Sequence, residues 1–114
     1  MERLKLQQEQ VARVSRQLED LRRELDRSRS DQLKIHQRLE ALSTAATQTT
    51  DPQKRKDFND ALSMLKLEAE QTEKSLQQIQ AREGVLASQL QSEQSRLTEL
   101  TDRLDEIERA LNMP

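Results

Sequence analysis

Apolar residues recur in alternating steps of three and four along almost the whole chain, and this spacing constrains the fold more than any other feature. A first run extends from Val11 to Leu42 and a second from Leu62 to Leu111. Such steps average 3.5 residues, the period that keeps one stripe of a helix against a partner helix in a left-handed supercoil. The repeat therefore predicts two long helices that pack along one apolar seam.

The composition favours long helices over a globular core or a disordered chain. Of the 114 residues, 32% are hydrophobic and 35% are charged, with one aromatic residue, Phe58, and one glycine, Gly84. A globular core needs more aromatic and large aliphatic side chains, and a disordered chain of this charge lacks sustained heptads. We therefore expect a single all-α domain over residues 1–114.

A segment rich in serine and threonine separates the two runs and ends in Asp51-Pro52. Proline disfavours helical geometry at the residue before it but suits the first turn of a new helix. Two caps fit the sequence, Thr50 in a capping box with Gln53, or Asp51 directly before Pro52. We expect an antiparallel coiled-coil hairpin with helix 1 over about residues 3–47, a turn near residues 47–52 (about 48–51) and helix 2 over about residues 52–111. The alternative is one kinked helix in a long parallel dimer.

Charged residues beside the seam favour one register of the hairpin, in which facing residue numbers add up to 104. This register sets polar Gln32 against polar Thr72 and forms three opposite-charge pairs, whereas a shift by one heptad in either direction leaves one. The three pairs are Arg29 with Glu73, Glu24 with Arg82, and Arg38 with Glu68. Each exposed pair contributes about 0.2–1 kcal/mol. The predicted arm is roughly 70 Å long at 1.5 Å per residue.

The predicted register leaves apolar residues without an intramolecular partner at the C-terminal end of helix 2. Leu104, Ile107 and Leu111, here called the C-terminal stripe, lie beyond the reach of helix 1. Exposure of such side chains costs up to about 1.5–3 kcal/mol each. The stripe predicts a homodimer contact or a docking segment for a protein partner, with a frayed helix end as the alternative.

The hairpin tip carries a second candidate contact surface. Ala45 and Ala61 occupy flanking positions where charged residues are expected, and Phe58, Met64 and Leu67 lie nearby. Small flanking residues favour assemblies of more than two helices. Close packing at the end of the hairpin and a tip contact between two copies both fit this pattern.

One core position, followed by a glycine, interrupts the apolar repeat in the second half of the chain. Glu83 stands where the heptad expects an apolar residue, and Gly84 follows it. Glycine within a helix costs about 1 kcal/mol relative to alanine. The pair is a candidate flexible point, and a carboxylate that bends out to water is the alternative.

Catalytic chemistry is not expected. His36 is the only histidine, so neither a zinc site nor a Ser-His-Asp arrangement can be assembled, and the absence of cysteine excludes thiolate chemistry. One glycine does not make a phosphate-binding loop. We expect no enzyme activity, no cofactor and no metal.

The charge pattern and the lack of long apolar stretches limit the partners. The net charge is −2 with both signs interspersed, so no nucleic acid is expected, although the basic triplet Lys54-Arg55-Lys56 offers a weak contact for nucleic acid or anionic lipid. No stretch approaches the roughly 20 apolar residues of a membrane span. The first residues lack the apolar core of a signal peptide, so the sequence leaves the location unknown, with the cytoplasm as the default.

Near the predicted turn, Arg38 is followed by Leu42 four residues on and by Thr49 seven further. This spacing resembles the hairpin tip of periplasmic membrane-fusion adaptors of tripartite efflux pumps. The resemblance covers residues 38–49 and implies a periplasmic hairpin whose tip docks an outer-membrane channel.

The function predicted first is that of a non-enzymatic coiled-coil scaffold or interaction module that associates with itself. An adaptor-like hairpin and a weak binder of nucleic acid or anionic lipid are the alternatives.

Overall fold

The structure, a computed structural model, describes residues 2–113. Helix α1 comprises Glu2–Gln48 and helix α2 comprises Pro52–Asn112, with no strand among the described residues. The protein is therefore an all-α helical hairpin of two long helices, and the fold predicted from the heptad repeat is confirmed.

Burial follows the predicted heptad positions. Val14 is only 1% exposed and Leu18 3%, whereas Leu33, which lies off the heptad stripe, is 60% exposed. The other apolar residues of the core are Leu21, Leu25 and Ile35 in α1 and Leu65, Leu76 and Ile79 in α2. All eight stand at the three-four positions, so each helix buries one stripe and leaves its remaining surface to water.

The hairpin divides into two compact units. The turn unit, Arg23–Gln80, contains the last part of α1, the turn and the first part of α2. The terminal unit combines the residues up to Arg22 with those from Ala81 onwards. Each unit contains paired segments of both helices and its own part of the buried stripe.

Asp51 caps the N-terminus of α2. Its Oδ1 accepts a hydrogen bond from the backbone N–H of Gln53 at 3.0 Å, and its carbonyl oxygen accepts the first helical bond, from Arg55 N–H, also at 3.0 Å. Pro52 is then the first helical residue, where its missing N–H costs nothing. The side chain of Gln53 donates to Asp57 Oδ1 at 3.3 Å instead of reaching back to Thr50. Of the two predicted caps, the structure thus contains the one formed by Asp51.

Threonine and arginine side chains close the turn without any unusual backbone conformation. Thr49 Oγ1 accepts a hydrogen bond from Asp51 N–H at 3.3 Å, and the Thr49 carbonyl oxygen accepts one from Arg55 Nη2 at 2.9 Å. No described residue has a positive φ. The turn therefore needs no glycine.

The cap gives a direct prediction. An Asp51→Ala substitution should lower the free energy of unfolding by about 1 kcal/mol, because the N–H of Gln53 loses its acceptor. Urea unfolding followed by circular dichroism measures this loss. Thr50→Ala is the matched control and should change stability by only a few tenths of a kcal/mol. An equal loss in both variants would contradict the assignment of Asp51 as the cap.

Candidate interaction surfaces

The C-terminal stripe is increasingly exposed along α2. Leu104 is half-buried, whereas Ile107 is 55% exposed and Leu111 is 78% exposed. These residues continue the heptad positions of Leu97 and Leu100, both of which are half-buried. The face that α2 buries in the seam thus extends past the part that is covered.

The tip surface combines half-buried and exposed apolar residues. Ala45, Phe58 and Ala61 are half-buried, while Met64 is 76% exposed. An open groove passes between the helices at this point. It is lined by Arg38 and Leu42 of α1 and by Ala61, Met64, Leu65, Leu67, Glu68 and Gln71 of α2. The structure therefore brings the predicted tip residues Ala61 and Met64 into one apolar groove with charged rims.

The residues predicted to set the register differ in their burial and in the surface that they line. Gln32 and Thr72 are both half-buried, and the Thr72 hydroxyl donates to the Glu68 carbonyl of its own helix at 2.9 Å. Glu24, Glu68 and Thr72 line a second open groove of the turn unit. Arg82 belongs to the terminal unit. The register stays a prediction.

The two charge pairs predicted within the turn unit do not form ion pairs in the structure. Neither Arg29 with Glu73 nor Arg38 with Glu68 forms an ion pair within 4 Å in the part of the chain that the structure describes. Arg38 and Glu68 nevertheless border the same groove. Long exposed side chains gain little from holding one geometry in water, so charge pairs of this kind are weakly fixed.

Glu83 forms an ion pair at the edge of the seam. Its Oε1 lies 3.3 Å from Arg22 Nε, and its side chain is 29% exposed against 56% for Arg22. The carboxylate thus turns away from the core position towards the flank of α1. Arg22 was not among the predicted site residues, although it directly follows Leu21, which the predicted register sets opposite Glu83.

Glu93 is a buried charged residue in the terminal unit, 8% exposed. The side-chain amide of Gln7 donates to Glu93 Oε2 at 2.6 Å and to the Glu93 carbonyl oxygen at 2.8 Å. Arg96 donates from Nη1 to Glu93 Oε1 at 3.4 Å. Among the described residues, no buried side-chain nitrogen or oxygen lacks a partner.

Sequence reasoning missed this contact between Gln7 and Glu93. Both residues are polar substitutions at heptad positions, and that pattern is a signal for a buried hydrogen bond across a seam. The predicted register sets Leu97 opposite Gln7, one helical turn further along α2 than Glu93. The Gln7 amide donates to Glu93, and residue spacing alone does not show this contact.

The structure also bears on the expectations for metal ions, membranes and the basic triplet. No group of His, Cys, Asp or Glu among the described residues is arranged to hold a metal ion. Neither α1 nor α2, over its described length, has a stretch apolar enough to cross a membrane. Within the basic triplet, Arg55 is engaged with the turn, and Lys54 and Lys56 are exposed. In the adaptor-like motif, the Thr49 hydroxyl is an acceptor inside the turn.

Comparison with protein-family models, with curated proteins and with solved structures gives no match.

Proposed function

We propose that this protein is a non-enzymatic coiled-coil hairpin that serves as a scaffold or interaction module and associates with a second copy through the C-terminal stripe. One observation carries the proposal. The heptad face of α2 is covered over the seam but exposed beyond it, with Ile107 at 55% and Leu111 at 78%.

Continuity with the seam supports a helical occupant of the stripe. Leu104, Ile107 and Leu111 repeat the three-four spacing of the buried residues, so a second helix can pack there by the same knobs-into-holes geometry as α1. Burial of each side chain contributes up to about 1.5–3 kcal/mol. A second copy supplies an identical stripe, and a two-fold dimer then buries both at once.

The experiment is a light-scattering measurement of mass over a concentration series. The unmodified protein should approach twice the mass of one chain, whereas the triple variant L104S/I107S/L111S should remain at the mass of one chain. The matched control is L6S/L33S/V85S, since these three leucine and valine side chains are 60–67% exposed and lie off the heptad stripe. This control should associate as the unmodified protein does.

Two outcomes would contradict the proposal. One is an unmodified protein that keeps the mass of one chain at every concentration. The other is a triple variant that associates unchanged. A further variant, M64E/L67E, then tests the tip groove. If L104S/I107S/L111S still associates and M64E/L67E does not, the contact between copies lies at the tip groove.

A further inference from the structure

Gly84 lies inside α2 at a position where nothing in the structure requires glycine. The residue has no positive φ, and a Cβ atom built on it would meet no atom within 4 Å. Neither backbone conformation nor close packing therefore explains the missing side chain. What glycine does change is the stability of the helix, since it is about fivefold less favourable than alanine at an interior position.

The packing of α2 is thin on both sides of Gly84. From residue 80 to residue 92, all of which the structure describes, no side chain of α2 is fully buried, whereas Ile79 before this segment and Glu93 after it are 8% exposed. The core position within the segment is Glu83, and its carboxylate is drawn to the largely exposed Arg22. Leu86 and Leu90, the next heptad residues, are half-buried.

We propose that α2 opens locally at Glu83-Gly84, with the helical hydrogen bonds around these residues breaking while the rest of the hairpin stays folded. Proteins open in local units whose free energies range from near zero to that of global unfolding, and the least stable units have few buried apolar contacts. Glycine and a charged core residue both lower the free energy of opening here. The inference is independent of the proposed self-association.

Hydrogen exchange of the full chain, resolved to single amides, tests the proposal. The amides of residues 84–88 donate to the carbonyl groups of residues 80–84, so their hydrogen bonds span the weak point, and they should exchange at least about tenfold faster than the amides of residues 70–78. In the Gly84→Ala variant, the exchange of residues 84–88 should slow by about fivefold, and that of residues 70–78 should not change.

A matched variant separates the two causes. Gln77 is exposed at the same outer heptad position one repeat earlier, between the buried Leu76 and Ile79. In the Gln77→Gly variant, the helix around residue 77 should therefore open less readily than the helix around Gly84 does. If it opens as readily, the role assigned to Glu83 is wrong. The proposal is overturned if residues 84–88 exchange no faster than residues 70–78, or if Gly84→Ala slows exchange equally throughout the chain.

Discussion

Replacement of Leu18 by alanine should lower the free energy of unfolding by about 2–3 kcal/mol. Leu18 is 3% exposed in the middle of the buried stripe of the terminal unit. The substitution removes three buried carbon atoms and leaves a cavity that the two facing helices cannot fill completely. A hairpin of two helices has only one layer of core residues, so the loss is a large part of a typical total stability.

Leu33→Ala is the control for this prediction because it removes the same atoms from a side chain that is 60% exposed. Its effect should stay within about 0.5 kcal/mol, the range typical of surface substitutions. Urea unfolding followed by circular dichroism compares the two variants at equal protein concentration. Equal losses would mean that the seam is not the main source of stability.

Replacement of Gln7 by alanine should lower the free energy of unfolding by about 2 kcal/mol. The amide of Gln7 donates to both the carboxylate and the backbone carbonyl of Glu93, and Glu93 is 8% exposed. Loss of a donor to a buried charged group costs about 1–3 kcal/mol, since the group is left partly unpaired away from water. Gln8→Ala, at an exposed neighbouring position, removes the same atoms and should have little effect.

A double-mutant cycle isolates the contact between the two side chains. Gln7→Leu alone removes the amide donor and leaves the carboxylate with Arg96 only, whereas Gln7→Leu combined with Glu93→Leu replaces both polar groups by apolar ones and should recover most of the lost stability. Thermal unfolding of the four proteins gives the coupling energy, which we expect to exceed about 1 kcal/mol. Additive effects of the two substitutions would show that the hydrogen bond does not stabilise the hairpin.

The fold was predictable because the heptad repeat extends over many turns of each helix and indicates a buried stripe even where single core positions are polar. The choice of cap was not, since the side chains of Thr50 and Asp51 can both accept the hydrogen bond. The backbone geometry of the turn decides between them. The reach of Gln7 to Glu93 was also hidden, because residue spacing fixes helix positions and not the conformation of a flexible amide side chain.

The function was less accessible for a related physical reason. An apolar stripe such as that of Leu104, Ile107 and Leu111 has the same spacing whether a helix of the same chain, a second copy or another protein covers it. Exposure of Ile107 and Leu111 in the structure shows that α1 does not cover them. The repeat therefore does not identify the helix that covers the stripe, and a mass measurement is needed to show whether it is a second copy.

The buried carboxylate of Glu93 also gives the hairpin a means of rejecting the wrong helix. Many helical proteins carry apolar heptads that could replace α1 along α2, and most would offer no amide at the position of Gln7. Such a competitor would remove the amide donor and leave the buried carboxylate of Glu93 with only Arg96 of its own helix, which is the kind of penalty that separates a correct partner from a merely hydrophobic one. A shift of α1 by one heptad, about 10 Å along the axis, incurs the same penalty. The contact between Gln7 and Glu93 therefore favours the pairing of α2 with α1 over pairing with a helix that offers no amide at this position.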